Sequence, residues 1–501
     1  VTISPDTAAR LRPWQVAPAD SLLRSLRKYR SALDCSYTGT GKTYVACAVA
    51  KSLGLPTLVV CPKIAQTAWK QVAAHFNDTV SVINYEQLRT GKTVFGRWNN
   101  PLPEPPPPPV YTCQCCQQVV QLAAPVPCYC HPAGIHCIIT RAYEHNYGSF
   151  HFAPQVAAVI FDEAHRCSGR NSLNAELLIG AKRANKIILG LTATPAIGPL
   201  QMRALGYVLG LHTLTPRFGL GFYDWLRTVG CGKLPHKPGF CWTVGAARQR
   251  AIMRDLHAHI FPERGVRVRT SEIPNFPSRT IISECYDIEA PERIDALYDS
   301  MRDSLDRWKA VADADVAPDS PLTAILRARQ RLEILKVPLA LELCADYLDK
   351  GCSVAIFCNF SETIDALSSR LKTDCIVDGR PQHNKRGMRD SCVARFQDNS
   401  ARVILVNNKA GGICIGLQDL DGEHPRAGLV FPDFSADVMR QVFGRLPRDG
   451  GRSHSVYRVL FAAGSVEGGV ARALRTKSDN LDALTDADLQ PENFVLTKGQ
   501  Y

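Results

Sequence analysis

No apolar run in this 501-residue chain reaches the roughly 18–20 residues that a membrane-spanning helix needs. No membrane span is expected. The stretch Val1 to Arg12 lacks the basic-then-apolar pattern of a secretory leader. No short-period repeat of the solenoid kind is visible. The 19 cysteines do not fall at the spacings of a disulfide framework in a short secreted domain. Most of those outside one cluster stand singly in apolar runs, as Cys47, Cys61 and Cys358 do, where a free thiol behaves as a small hydrophobe. The expected location is the interior of a cell, cytoplasmic, nuclear or in a host, rather than outside it.

What is there is core material and positive charge. Hydrophobic residues make up 45% of the chain, ample for two or three cored domains of roughly 100–200 residues each. Charged residues are 21%, which argues against wholesale disorder. Lys and Arg number 59 against 47 Asp and Glu, a net charge of +12. That surplus suits a polyanionic partner, and equally a merely soluble basic protein.

The patterning predicts an α/β chain with two parallel sheets. A basic helix-like stretch, Ser21 to Arg30, precedes short apolar runs at Leu58 to Cys61 and Ser81 to Tyr85, as βαβ units require. The composition then breaks. Pro101 to Pro109 cannot pair in a central sheet, and cysteines crowd the segment that follows. Regular pattern resumes at Val156 to Phe161. The expected organisation is a first domain over residues 1–205, interrupted by an insertion over 100–152. A mostly helical connection over 206–345 follows, then a second domain over 346–501 that opens on Ser353 to Phe357.

The chemistry gathers in a few short stretches. Ser36-Tyr37-Thr38-Gly39-Thr40-Gly41-Lys42-Thr43 leads into a helical run, Tyr44 to Ser52. Small residues let backbone N–H groups curl around phosphate oxygens, and a helix N-terminus adds partial positive charge. Lys42 would reach the terminal phosphates of ATP and the Thr43 hydroxyl would ligate Mg²⁺. A second Gly-Lys-Thr, at residues 91–93, lacks the upstream glycine and reads as a surface turn. Val159 to His165 is an apolar strand ending in Asp162 and Glu163. Asp162 would hold Mg²⁺, and Glu163 would orient the attacking water. Thr192-Ala193-Thr194-Pro195 follows another apolar strand, and its hydroxyls could bridge the carboxylates to the second domain. Arg445 and Arg448 stand three apart, and guanidinium groups brought to a γ-phosphate stabilise transferring charge.

In order and spacing these stretches resemble the superfamily-2 helicases, especially the Swi/Snf-like translocases and their relatives in phages and large DNA viruses, over nearly the whole chain. The resemblance implies two RecA-like domains closing on one ATP, and an ATPase that moves on nucleic acid, DNA before RNA. Leu11 to Gln15 is similar to the family's opening motif, which implies that Gln15 reads adenine. Thr38, Gly39, Thr40 and Gly41 would complete the nucleotide contacts with Lys42 and Thr43. Gln441 with Arg445 and Arg448 matches the arginine-finger motif. Pro62, Lys63, Asn84, Tyr85, Asn359, Lys409 and Gly411 fall in motifs that imply contacts to a nucleic-acid strand. The stretches Gln418 to Pro432 and Asn174 to Leu211 look most like the viral and phage branch. Cys414 and Asn407-Asn408 depart from the remodelling enzymes, which carry Gly and Ser/Thr-type residues there.

Cys113, Cys116, Cys128, Cys130, His131 and Cys137 lie close together in the insertion, beside Cys115 and His136. Four of them would suit a structural Zn²⁺, which can replace a core that this Pro- and Gly-rich segment lacks. A metal-free cysteine-rich loop is the bland alternative. Such an insertion could grip DNA or a protein partner. The expected activity is a nucleic-acid-dependent ATPase, helicase or duplex translocase. A nucleic-acid scaffold that keeps ATP as a structural ligand is the second reading, and an ATPase of a non-nucleic-acid system the third.

Overall fold

The computed structural model describes residues 2–78, 80–99, 110–113, 119–121, 138–140, 148–169, 172–214, 220–234, 239–288, 291–311, 321–383, 387–408, 415–433, 435–463, 467 and 494–496. The first sheet has six parallel strands: β1 (Ser31–Asp34), β2 (Thr57–Cys61), β3 (Ser81–Asn84), β4 (Ala158–Asp162), β5 (Ile187–Leu191) and β6 (Gly265–Val266). Their spatial order is β6-β1-β5-β4-β2-β3. Both faces are covered, which is why the strands read as unbroken apolar runs. Leu58 and Val60 face one core with Val159 and Phe161, while Val59 and Cys61 face the other with Ile160. Three helices cover the second of these faces: α1 (Pro13–Tyr29), α2 (Lys42–Leu53) and α3 (Gln66–His75). On the opposite face lies α4 (Leu173–Arg183).

The second sheet has seven strands: β7 (Arg279–Tyr286), β8 (Ser353–Cys358), β9 (Ile376–Val377), β10 (Val403–Asn407), β11 (Arg426–Val430), β12 (Ser455–Ala462) and β13 (Phe494–Leu496). The order is β9-β10-β8-β11-β12-β7-β13, every pair parallel. Two parallel sheets with helices on their faces make this a pair of RecA-like α/β domains.

Helices predominate among the described residues of segment 206–345, but two of its strands also join the two sheets. The helix Ala246–Ile260 packs through Ile252, Met253 and Leu256 into a core containing Leu33 of β1. Strand β6 then adds to the edge of the first sheet, and β7 pairs along its whole length with β12 of the second. Both strands are short or mixed in polarity, so their pairing is set by the sheets they join rather than by local pattern.

The insertion hangs from a two-stranded antiparallel ribbon, Gly96–Trp98 with Phe150–Phe152. Phe150 and Phe152 are buried in the first domain, so its edge falls before residue 152. Among the described parts of the insertion, Val110–Cys113 pairs with Val119–Gln121 and with Ile138–Thr140. Cys113 ends the middle strand. Cys116, Cys128, Cys130, His131 and Cys137 lie outside the described residues.

The ribbon is pressed onto α4 where Gly180 passes the Phe150 carbonyl. A methyl group at Gly180 would come 2.4 Å from that oxygen, a backbone atom that cannot rotate away. Alanine ordinarily favours a helix over glycine by about 1 kcal/mol. Gly180→Ala is nevertheless expected to lower stability by about 1–2 kcal/mol through overpacking. Urea unfolding followed by tryptophan fluorescence checks this, and a midpoint at or above that of the parent would contradict the close approach.

Candidate nucleotide site between the domains

The C-terminal edge of the first sheet assembles one half of the site. Register places Asp34 beside Leu191, and Leu191 beside Asp162. Three strand ends therefore deliver their next residues to one edge, where ligands sit in open α/β sheets. After β1 the loop 35–41 turns through two glycines in the left-handed region, Gly39 and Gly41, both at φ 85°. α2 starts at Lys42, so its free N–H groups point into the loop. The Lys42 ammonium donates to the carbonyls of Ser36 at 2.7 Å and Tyr37 at 2.9 Å. Thr40 ties the loop to itself through Tyr37 O at 2.8 Å. Gln15 donates to the Thr40 carbonyl at 3.0 Å and accepts from Arg12 N at 3.0 Å.

The acids are held with equal specificity. Trp69 Nε1 donates to Asp162 Oδ2 at 2.8 Å, and the Tyr85 hydroxyl donates to the Asp162 carbonyl at 2.8 Å. Glu163 has φ 52°, a left-handed backbone that costs a non-glycine residue about 1 kcal/mol or more and is found where geometry is imposed by surroundings. Gln441 Nε2 lies 3.3 Å from His165 Nε2. If the amide donates there, His165 Nδ1 is the protonated nitrogen, and it faces Thr192 Oγ1 at 3.1 Å and Glu163 Oε2 at 3.3 Å. The chain Glu163–His165–Gln441 thus crosses from one domain to the other. The hydroxyl of Thr192 touches His165 and not the carboxylates.

Burial sets opposing charges against one another. It pushes the Asp34 carboxyl up, against Lys42 and the Ser36 hydrogen bonds. It pushes Lys42 down, against Asp34, Glu163 and Asp162. Asp162 is raised by burial and by Glu163. Burial acts to raise Glu163 as well, but the hydrogen bond and charge of His165, with Lys42 and Arg445, hold it low. Glu163 is therefore the carboxylate that stays ionised, as a residue that polarises water must.

The second domain supplies the other wall. Arg445 is almost fully buried and donates to the Ile415 carbonyl at 3.4 Å. Arg448 lies against Gly39, where a methyl group would meet its Cγ at 3.0 Å. Arg12 and Asp449 pair across the mouth at 3.7 Å. Between these walls is a cavity of about 940 Å³. It is lined by Gln15, Thr38, Gly39, Gly41, Lys42 and Thr43, by Asp162 and Glu163, and by Arg445 and Arg448. Arg10 and Arg12 add to Lys42 and the two arginines, and together they outnumber Asp162, Glu163 and Asp449. Such a cavity favours a polyanion. Thr43 and Asp162 offer it hard oxygen donors of the kind Mg²⁺ takes.

Several expected site residues sit elsewhere. Gln441 packs against His165 and does not line the cavity. Tyr85 is fully buried beneath Asp162. Asn84 is a buried helix cap, accepting from Gln87 N at 2.8 Å. Asn359 is engaged by Glu333 at 2.7 Å and by Asn408 at 2.8 Å. In this conformation Tyr85, Asn84 and Asn359 serve internal contacts, whereas Lys63 is exposed, next to buried Pro62. Lys409 and Gly411 lie outside the described residues. Sequence reasoning missed Asp34 and Trp69. An acid closing an apolar strand just before a phosphate loop was a legible signal for the first. Nothing local marked the second.

No family model matches the chain. The chain is similar over its full length, at 27% identity across 509 residues and 88% of the relative, to a protein of Acanthamoeba polyphaga mimivirus named as an ATP-dependent RNA helicase. Among solved structures, S. cerevisiae Dbp5 bound to RNA and ADP BeF3 matches 95% of this chain and 91% of its own, with 10% identity and a TM-score of 0.47. A point variant of that protein gives 0.46. These two structural likenesses carry no weight beside the geometry above.

Trp69→Phe keeps a ring in the core and removes the N–H that fixes Asp162. Turnover of ATP is expected to fall about tenfold, as for loss of one hydrogen bond to a charged group. Steady-state kinetics at saturating Mg²⁺ checks this, and an unchanged kcat would show that the indole only fills space.

Proposed function

We propose that this chain is an ATP hydrolase of the superfamily-2 helicase kind, coupling closure of its two domains to movement along nucleic acid. The observation that carries the reading is the shared cavity: phosphate loop and acid pair on one wall, Arg445 and Arg448 on the other. The full-length similarity to the mimivirus protein supports it, and supports the large-DNA-virus branch more than the Swi/Snf-like one. Expectation of DNA over RNA has no such support, because that relative is named for RNA. Nucleic acid of either kind is the proposed partner, and an interior cellular location follows from its substrates.

In this mechanism the loop N–H groups and Lys42 bind the phosphates of ATP, and Gln15 braces the loop from the side. Thr43 and Asp162 would hold Mg²⁺, which supplies charge neutralisation at the phosphates when bound. Glu163, kept ionised and aimed by His165, orients the attacking water. Arg445 and Arg448 neutralise charge on the transferring group only when the cleft is closed. Because Gln441 reads the position of His165, the acid pair and the second domain report to each other. Nucleic acid held by its phosphates across both domains would then shift as the cleft cycles.

We also propose one structural zinc in the insertion, held by four of Cys113, Cys116, Cys128, Cys130, His131 and Cys137. The ligand chemistry and close spacing in the sequence support it. Through that insertion a protein partner could dock.

The central test is ATP turnover with no nucleic acid, single-stranded DNA, duplex DNA and RNA in parallel. Stimulation by at least one polymer, falling with salt, is expected. Lys42→Ala should lose turnover. Glu163→Gln should bind ATP, stay closed by an interdomain distance probe and not hydrolyse. Arg448→Ala should lose about 10³-fold or more, as arginine fingers do, and stay open. Wild-type turnover in Arg448→Ala would make that arginine a surface charge, and ATP binding without turnover in the parent would favour the scaffold. Elemental analysis of tag-free, reduced protein should find about one zinc per chain. Protein free of zinc would remove the metal site.

A further inference from the structure

One residue of the phosphate loop faces both domains at once. Tyr37 is 3% exposed although it belongs to a loop at a cleft. Its carbonyl accepts from Lys42 Nζ at 2.9 Å and from the Thr40 hydroxyl at 2.8 Å. Its N–H donates to the Val268 carbonyl at 3.1 Å, beside the strand by which the chain leaves the first domain. Its ring lies among three guanidinium groups. Arg267, next to that exit strand, is 4.1 Å from the ring centroid. Arg279 opens β7 of the second sheet and stands at 5.6 Å. Arg440 belongs to the helix α5 (Ala436–Phe443) that carries Gln441, and stands at 5.8 Å.

We infer that Tyr37 is a positioning residue, through whose ring the second domain holds the phosphate loop and Lys42 in working geometry. This rests on the ATPase reading above. Three like charges in a buried space repel one another, and the negative face of an aromatic ring offsets part of that repulsion, alongside the Cys35 carbonyl that Arg267 donates to. Two of the three come from the second domain, so the ring is fully surrounded only while the cleft is closed. Arg279 also donates to the Phe443 carbonyl at 2.9 Å, which ties β7 to the end of α5 and makes the two second-domain arginines move as one. On the other side of the same residue, the Tyr37 carbonyl is one of two that hold the Lys42 ammonium. A shift of the ring therefore shifts the carbonyl, and with it the cation that reaches the phosphates. Tyr37 makes no contact with nucleotide in this role. It acts through Lys42.

A purely space-filling tyrosine would tolerate leucine, and a ring that gathers cations would not. At saturating nucleic acid, Tyr37→Leu is expected to lose about tenfold in kcat with KM for ATP within about twofold, because ground-state phosphate contacts survive while closure is penalised. Tyr37→Phe keeps the ring and should stay within about twofold of the parent in both. Arg440→Gln removes one of the three cations and should lose about threefold in kcat, less than Tyr37→Leu, and the double variant no more than Tyr37→Leu alone, since the leucine has already removed the contact with Arg440. An interdomain distance probe with ATP should show a smaller closed fraction in Tyr37→Leu than in Tyr37→Phe. Parent-level kcat in Tyr37→Leu, a loss in Tyr37→Phe as deep as in Tyr37→Leu, or losses that multiply in the double variant would each overturn the inference. If Tyr37→Leu does not fold, Tyr37→Phe and Arg440→Gln decide: parent-level kcat in the first with about a threefold loss in the second is required. A parent chain with no turnover under any condition overturns the ATPase reading instead, and the distance probe still reads the Tyr37 contact.

Discussion

The two domains can meet over a phosphate loop only if one of them presents almost nothing at the point of contact. Gly444 is that point. A methyl group there would come within 1.7 Å of the Thr38 hydroxyl, inside any permissible contact. Gly39 meets the side chain of Arg448 from the opposite wall less closely, a methyl group there lying 3.0 Å from Cγ. These two glycines let a backbone pass where a side chain would wedge the cleft open. Every other feature of the site depends on that approach: Gln441 reaching His165, Arg445 adding to the charges that keep Glu163 ionised, and Arg12 meeting Asp449 at the mouth.

Closure also changes the value of each charge. Asp34, Lys42, Asp162 and Glu163 are crowded at one sheet edge, Asp34 buried and the others half-buried, where charge interactions are stronger than at a surface. Lys42 is held between three carboxylates that pull its pKa up and burial that pulls it down. Two of those carboxylates answer to different neighbours, Asp162 to Trp69 and Glu163 to His165. Environment thus sets the two members of one acidic pair apart, with Asp162 raised and Glu163 held low. The division depends on residues far apart in the chain, since His165 is itself in contact with Gln441.

Local chemistry was legible in the sequence, and long-range placement was not. The loop 36–43 and the carboxylates after Phe161 carry their own context: an apolar strand before, a helix or turn after. That context is what folds them into a site, so their positions followed from pattern alone. Arg445 and Arg448 were legible by spacing, and their facing of the loop comes from the fold. Tyr85 and Asn359 show the limit. Both sit in stretches whose resemblance implied contact with a strand, yet Tyr85 lies beneath β4 and Asn359 is enclosed by Glu333 and Asn408. Side-chain direction in a turn after a strand is decided by what packs above it, which spacing does not encode. The strands β6 and β7 were missed for the same reason. Two residues at a sheet edge, and a strand of mixed polarity, become strands by pairing with partners more than a hundred residues away.

Rigidity on either side of the cleft is what turns its closure into a usable motion. In the second domain, Lys336 and Glu467 pair at 2.6 Å with almost no exposure, and Lys336 also donates to the Leu460 carbonyl at 3.2 Å. Glu333 holds the backbone N–H and the amide of Asn359 at 2.9 and 2.7 Å, and Asn359 in turn accepts from Asn408. These buried polar groups pair in one arrangement, which fixes the helices 321–335 and 337–349 against the ends of β8, β10 and β12. The first domain is fixed comparably by Trp69 and Tyr85 under Asp162. Between the two units the chain runs only from Val266 to Arg279, alongside the phosphate loop. A short connection and two stiff bodies leave few ways to move except opening and closing the cleft. A few cross-cleft contacts made or lost in that motion then bear on the same few atoms that bind phosphate.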